Sequence, residues 1–194
     1  MSNRKFECVS GCSDCCIYRE YYPTEQFGKI GVLLLPDEVA SIQAQADKNN
    51  VAVKILPRIA LGRKSPDRVI AYQMMGRNQD GDVCPFLDLE SDKRSPHGGY
   101  ACKIYEDRPL ACRAYPLLET GDSVTLDGHC RFCVEHHTTS VSAQTLRSEA
   151  VALERIKEKV QVTDGSLRVW RYATAAGSSQ HEGKMLREGW VIEE

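Results

Sequence analysis

Two stretches of the chain repeat apolar residues at helical spacing. Residues 36–49 (PDEVASIQAQADKN) place Val39, Ile42 and Ala46 on one face, with Pro36 suited to the first helical position. Asn49 and Asn50 would end that helix. Residues 139–160 predict a longer helix, and its apolar stripe is Leu146, Ala150, Leu153, Ile156 and Val160.

Shorter apolar segments predict strands. Residues 69–75 are strand-like, and Asp80–Gly81 suits a turn before a second strand at residues 83–89. Residues 100–105 predict a further short strand. Residues 107–115 (DRPLACRAY) predict a short helix that Asp107 caps and Pro116 ends. Residues 51–75 as a whole give a mixed pattern, and residues 167–172 fit either a strand or a helix.

The last segment of the chain is more apolar than an inert solvated end. Residues 177–183 predict a flexible link, and residues 184–194 then carry Leu186, Trp190, Val191 and Ile192. We expect this tail to dock on the protein's own core. The alternative is docking on a protein partner.

Composition and charge narrow the class of protein. The chain has 194 residues, of which 42% are hydrophobic and 27% charged, and its net charge is -2. This balance is typical of a globular domain, and it gives no reason to expect a nucleic-acid partner or an acidic membrane surface. The longest clean apolar run, residues 32–35, cannot span a bilayer. The first residues do not resemble a secretory signal, so we predict a cytoplasmic location.

Cysteine is the outlier in the composition, with nine residues in three groups. The first group is C-x3-C-x2-C-C in FECVSGCSDCC, the second is spread over CPFLD, CKIYEDRP and ACRAYP, and the third is C-x2-C in HCRFC. In a reducing compartment such closely spaced thiols are expected to bind metal rather than form disulfides. The predicted ligands are Cys8, Cys12, Cys15, Cys16, Cys84, Cys102, Cys112, Cys130 and Cys133.

The number of thiols exceeds what one metal site requires. A tetrahedral zinc ion needs four ligands and a cubane iron–sulfur cluster also needs four, so nine thiols come close to filling two sites. Adjacent side chains point in different directions along an extended backbone. Cys15 and Cys16 would therefore reach separate metals, or one of them would pack in the core, as free cysteine often does.

The spacing leaves the identity of the metal open between two hypotheses. The dense first group favours an iron–sulfur cluster, most simply 4Fe-4S, whereas the Cys130–Cys133 pair is typical of a zinc knuckle. Four thiolates leave either centre with a negative charge. Nearby basic residues would offset that charge or donate to sulfur, and these are Lys103, Arg108, Arg113 and Arg131.

These segments resemble the YkgJ-like cysteine-cluster family, a zinc- or iron-chelating domain with a CxxCxxCC signature. The resemblance covers FECVSGCSDCC, CPFLD, CKIYEDRPLACRAYP and HCRFC. It implies eight metal-binding cysteines, those named above without Cys133, which looks additional. The chain departs from the pattern in two places: three residues separate Cys8 from Cys12 instead of two, and Ser13 stands where the family has glycine.

The resemblance implies metal or iron–sulfur binding without a settled reaction. One branch resembles flagellin lysine methylases, which use S-adenosylmethionine, but no glycine-rich G-x-G loop follows a strand here, so that activity is not carried over. The C-x3-C-x2-C spacing also matches radical S-adenosylmethionine enzymes, whose β/α barrel needs more strand–helix repeats than this chain offers. His136 and His137, near Cys133, and His129 are expected to be surface residues rather than zinc ligands. Asp88 and Glu90 are weak candidates for metal binding, and Tyr18, Tyr21 and Tyr22 are expected to cover the site.

The sequence therefore predicts a small α+β domain that is organised by its metal-binding cysteines. Residues 1–135 would carry the site, and residues 136–194 would form a bracing helix and an accessory tail. Two functions remain open at this point. One is an iron–sulfur protein that transfers electrons or belongs to a redox or group-transfer enzyme. The other is a zinc-binding structural or protein-interaction module.

Overall fold

The structure of the protein is a computed structural model that describes residues 4–17, 26–77, 83–120, 124–175 and 187–193. The chain forms two compact units. Unit 1 consists of Met1–Cys15 and Leu87–Glu158, and unit 2 of Cys16–Phe86 and Lys159–Glu194. The sequence analysis divided the chain after residue 135, according to which residues would carry the metal site. That division stays a prediction.

Helices and strands are both present, so the predicted α+β class is confirmed. In chain order the elements are α1 Asp14–Ile17, β1 Val32–Leu34, α2 Val39–Lys48, β2 Ile55–Gly62, β3 Arg68–Met74, β4 Leu87–Asp88, β5 Ala101–Cys102, α3 Leu110–Ala114, β6 Leu117–Glu119, β7 Val124–Leu126, α4 Arg131–His136, β8 Ser140–Val141, α5 Arg147–Val160, β9 Arg168–Ala173 and β10 Gly189–Ile192.

Unit 2 contains a five-stranded antiparallel sheet in the order β1-β3-β2-β9-β10. The prediction at residues 69–75 is confirmed by β3, and residues 167–172 prove to be strand rather than helix. The sequence analysis predicted no strand at the position of β2. Strand β2 contains Pro57, which has no N–H group to donate to a neighbouring strand. Pro57 lies opposite Tyr72 of β3, outside the part of β2 that pairs with β9.

The apolar tail docks on the sheet of its own unit, as expected. Strand β10 pairs antiparallel with β9, with Trp190 opposite Tyr172. The two rings make an edge-to-face contact with centroids 5.3 Å apart. Docking on a protein partner stays a prediction, and the predicted link at residues 177–183 lies outside the described residues.

Helix α2 lies where predicted but begins later than expected. Residues 36–38 form a turn, so the expectation that Pro36 occupies the first helical position is wrong. The Glu38 carboxylate instead accepts a hydrogen bond from the Leu35 N–H at 2.8 Å. The expected stop is confirmed, because Asn50 adopts a left-handed conformation with φ 50°.

Unit 1 is built on a three-stranded sheet in the order β6-β7-β8 and on helices α4 and α5. Helix α5 starts at Arg147 rather than at residue 139, because Ser140–Val141 pairs with β7 and residues 143–145 form a 3-10 turn. Leu146, just before the helix, is fully buried in a cluster that also contains Cys130 and Cys133. The bracing role predicted for this helix is consistent with that packing.

The short elements of unit 1 are smaller than predicted. The strands predicted at residues 83–89 and 100–105 reduce to the two-residue strands β4 and β5, and the predicted Asp80–Gly81 turn lies outside the described residues. Helix α3 begins after Pro109, which occupies the cap position without a side-chain cap bond, so the prediction that Asp107 caps it is wrong. Within the described part of the chain, no helix is long and apolar enough to cross a membrane.

Candidate metal centre

The third cysteine group lies at the start of helix α4. Cys130 is the residue that caps the helix, and Cys133 lies one turn further on, so both side chains are on the same side of the first turn. Both residues are buried, at 9% and 4% exposure. The side chains of Cys130 and Cys133 are close enough to interact. The C-x2-C spacing and the helix start therefore bring two thiols together.

The first cysteine group supplies a second thiol pair. The Cys12 N–H donates to the Val9 carbonyl at 3.0 Å, which closes a turn between the two cysteines. Gly11 in that turn has φ 75°, a left-handed conformation that favours glycine. The side chains of Cys8 and Cys12 are close enough to interact. The extra residue between Cys8 and Cys12 is thus accommodated in a turn that still pairs their thiols.

Cys130 of the second pair lies near both thiols of the first pair, within unit 1. After the larger effect of burial, Cys130 contributes to the raised pKa of Cys8, and Cys12 contributes to the raised pKa of Cys130. Phe6 and Val9, beside the first pair, pack on the buried cluster that contains the second pair. The Phe6 ring lies edge-on to Phe132 of α4, with centroids 5.0 Å apart. We call these four residues, Cys8, Cys12, Cys130 and Cys133, the four-thiol group.

A metal ion would still have to draw these sulfurs together. Among the described residues, no set of three or more histidine, cysteine, aspartate or glutamate side chains is arranged to hold an ion. All nine cysteines lie in described residues, and none of them forms a disulfide. The donor set is therefore two pairs of reduced thiols, and soft donors of this kind suit zinc and iron–sulfur clusters.

Burial raises the pKa of Cys8, Cys130 and Cys133 and so favours their neutral thiols. It raises the pKa of Cys8 from 9.0 to about 11, and the neighbouring Cys12 and Cys130 add to the rise. It also raises the pKa of Cys130 from 9.0 to about 11. The Phe132 and Cys133 N–H groups act in the opposite direction and lower this pKa. Cys130 nevertheless makes no side-chain cap hydrogen bond to the helix. Burial raises the pKa of Cys133 as well. A cation placed among the sulfurs would reverse this preference.

An ion pair connects the two segments that carry these thiols. The Arg131 guanidinium donates to both carboxylate oxygens of Asp14, at 2.8 Å from Nε and 2.7 Å from Nη2. Asp14 lies between Cys12 and Cys15, and Arg131 follows Cys130. Sequence analysis expected Arg131 to balance charge, but it missed Asp14 as the partner, because no spacing rule links residues so far apart.

A loop also holds the first group in place. The Ser13 hydroxyl accepts a hydrogen bond from the Tyr100 N–H at 2.7 Å, and the Gly11 N–H donates to the His97 carbonyl at 2.7 Å. A Cβ on Gly99 would lie 2.3 Å from the Cys12 carbonyl oxygen, so only glycine fits there. Ser13, which departs from the family pattern, is thus buried and bonded in this contact.

The remaining five cysteines are divided between the two units. Cys15 is exposed on α1, Cys102 lies on β5 opposite Leu87, and Cys112 lies within α3, all three in unit 1. Cys16 and Cys84 belong to unit 2, where the Cys84 N–H donates to the Cys16 carbonyl at 2.7 Å. Residues 14–17 are helical, so the extended backbone assumed for Cys15 and Cys16 is wrong, although side chains one position apart on a helix also diverge.

The basic residues of the second group make contacts of their own. The Arg108 guanidinium lies over the Tyr105 ring at 3.8 Å. Arg113 donates to the carbonyl oxygens of Arg108 and Glu106. Lys103 is close enough to Asp88 to lower the pKa of that carboxyl. Donation from Lys103, Arg108 or Arg113 to a metal-bound sulfur stays a prediction.

The residues that the sequence analysis considered only weakly for the metal site make contacts of other kinds. His129, His136 and His137 are exposed, and the His136 ring packs edge-on against Phe132. Asp88 accepts hydrogen bonds from the Ser91 hydroxyl and from the N–H groups of Ser91 and Glu90, and these lower its pKa to about 2. Tyr18, Tyr21 and Tyr22 lie outside the described residues.

The chain matches the CxxCxxCC family, described as "Putative zinc- or iron-chelating domain", over residues 7–131. Because the match covers more than half of the chain, the protein belongs to this family of zinc- or iron-chelating domains. This membership supports metal binding by the cysteines. Comparison with curated proteins and with solved structures gave no match.

Proposed function

We propose that the protein holds iron as an iron–sulfur cluster, with Cys8, Cys12 and Cys130 as ligands, and that the cluster serves electron transfer or a redox or group-transfer enzyme. The observation that carries the proposal is the approach of Cys130 to the Cys8–Cys12 pair from the far end of the family segment. The sulfurs are reduced and partly or wholly buried, which suits a cluster that must be kept from water.

The chain's own residues would have separate tasks in such a centre. When bound, the cluster would supply a one-electron redox couple. The Phe132 and Cys133 N–H groups, which already act on the Cys130 sulfur, would stabilise negative charge on it. Arg131 would place a positive charge beside Cys12. Reduced thiols of this kind persist in a reducing compartment, so we also propose a cytoplasmic location.

Zinc binding is the second candidate, and one observation favours it. Cys130 and Cys133 form a buried C-x2-C pair at the start of a helix. Paired ligands of this kind are typical of structural zinc sites, which contribute directly to folding. In that case the family segment would act as a structural or protein-interaction module.

Metal analysis of anaerobically purified full-length protein tests both candidates. An iron–sulfur cluster predicts a brown protein with iron and acid-labile sulfide in equal amounts, whereas zinc binding predicts a colourless protein with zinc and no sulfide. Cys130→Ser should lose the metal. Val134→Ser, which changes a side chain that is 57% exposed on the same helix, should retain it. A colourless zinc protein would overturn the iron–sulfur proposal, and a protein that binds neither metal after reconstitution would overturn both.

A further inference from the structure

We infer that Cys133 is the fourth thiolate ligand of the centre that Cys8, Cys12 and Cys130 form, so that this centre is closed to exogenous ligands. The inference rests on the proposed function and deepens it. The family match ends at residue 131, so Cys133 lies beyond the matched residues. Its assignment therefore depends on the structure of this chain.

The start of helix α4 places Cys133 beside the other ligands. Cys130 and Cys133 are related by one helical turn, and the Val134 N–H donates to the Cys130 carbonyl at 3.0 Å, which fixes that turn. This spacing places the Cys133 side chain next to that of Cys130, and both residues are buried. An ion bound by Cys130 would therefore meet the Cys133 sulfur on the same side of the helix.

Burial leaves two possible roles for this thiol. Cys133 is 4% exposed and packs among apolar residues of unit 1, where a thiol can act simply as a small hydrophobic group. The helical spacing by itself would bring Cys133 next to Cys130 in either role. Phe6 and Val9, which lie beside Cys8 in the chain, pack on the same buried cluster, and the presence of further thiols there favours a ligand over a packing residue.

The number of thiolates decides what the centre can do. Three thiolates leave one coordination position of a zinc ion, or one iron of a cubane, available for a substrate. Four thiolates fill the coordination, and such centres carry electrons or stabilise structure. With Cys133 as the fourth ligand, the four-thiol group is a closed centre, and a substrate would not bind at its metal.

Cobalt(II) substitution counts the thiolates without relying on activity. The full chain, reduced and metal-free, is saturated with Co2+ under nitrogen, and the sulfur-to-cobalt charge-transfer absorbance is measured. Cys133→Ala should lose about as much of this absorbance as Cys130→Ala, which removes the other end of the C-x2-C pair. Ethanethiol should restore the lost absorbance in Cys133→Ala and leave the wild-type spectrum unchanged. Val134→Ser should match the wild type.

The experiment distinguishes failure of this inference from failure of the proposed function. If Cys130→Ala loses absorbance and Cys133→Ala does not, Cys133 is a packing residue and this inference is overturned. If the wild type itself shows no thiolate charge-transfer band, the proposed function fails. Should Cys133→Ala not fold, Cys133→Val fills the same space without a ligand, and the sulfur neighbours of bound zinc in the wild type can be counted by X-ray absorption. Four sulfurs support the inference and three overturn it.

Discussion

Arg131 and Asp14 form a bidentate ion pair that joins the helix carrying Cys130 to the segment carrying Cys12. The Asp14 carboxylate and, to a smaller extent, Cys12 raise the pKa of Arg131. The planar guanidinium matches both carboxylate oxygens, a geometry that lysine cannot reproduce. The pair thus links the two segments that carry these thiols in the absence of a metal.

Arg131→Gln is expected to weaken metal binding about tenfold, because the contacts that orient ligands typically contribute that much to affinity. Competition with a chromophoric chelator measures the change. Exchanging the two residues, Asp14→Arg with Arg131→Asp, should recover part of the affinity. Lys157→Gln removes an ion pair with Glu154 on the surface of α5 and serves as the control. Equal affinities for Arg131→Gln and Lys157→Gln would show that the pair does not position ligands.

Metal-free protein is expected to lose stability as the pH rises from 9 to 11. The pKa values of Cys8 and Cys130 are about 11 in the folded chain and 9.0 ordinarily, so below pH 9 both states hold the protons. Between these values the unfolded state loses protons that the folded state keeps, and unfolding becomes easier. Denaturant midpoints at pH 8, 9 and 10, with reductant and chelator, measure this effect.

The double variant Cys8→Ser with Cys130→Ser controls for lysine and tyrosine residues that titrate in the same range. Its stability should fall less steeply over that interval than the stability of the wild type. Parallel curves for the two proteins would mean that these thiols are no harder to ionise in the folded chain than in the unfolded one.

Gly99→Ala is expected to destabilise the protein by about 2–3 kcal/mol, since the added methyl group would overlap backbone atoms that cannot move independently. Its Cβ would lie 2.3 Å from the Cys12 carbonyl oxygen and 2.4 Å from the Ser13 hydroxyl oxygen. Gly128→Ala is the matched control, because its Cβ would meet only the Thr139 methyl group at 3.7 Å. Chemical unfolding of both variants measures the difference, and similar losses would argue against a tight contact between residue 99 and the first cysteine group.

Trp190→Ala is expected to cost about 2 kcal/mol of stability, from lost apolar burial and the lost ring contact with Tyr172. Val191→Ala, at the neighbouring position of β10, should cost much less because Val191 is 38% exposed. Urea unfolding followed by circular dichroism compares the two variants. Equal and small effects would indicate that the tail is not held on the sheet in solution.

The sequence predicted those elements in which one local signal dominates. The repeat through Ile42 and Ala46 located α2, and Asn50 marked its end. Strand β2 was missed because Pro57 interrupts its pattern, and because its neighbours β3 and β9 are distant in the chain. The start of α5 was misplaced because residues 140–141 satisfy their backbone groups in a sheet, which depends on a tertiary partner.

The candidate site was predictable in its residue types and not in its grouping. Thiol chemistry and spacing identified the cysteines, and the C-x2-C spacing identified Cys130 and Cys133 as a pair. The approach of that pair to Cys8 and Cys12 depends on contacts such as Phe6 with Phe132, which no local pattern encodes. The positioning contacts of Asp14, Ser13 and Gly99 are absent from the prediction for the same reason.

The interleaving of the two units has a consequence for synthesis on the ribosome. Strand β2 lacks its neighbour β9 until residues 168–173 have emerged, and β10 follows only at residues 189–192. Likewise, Cys8 and Cys12 are synthesised more than a hundred residues before Cys130 and Cys133. A nascent chain would therefore expose thiols and an open strand edge together for most of its translation. Metal binding that needs both thiol pairs would accordingly be a late event, and chaperoning of the growing chain would protect both features until then.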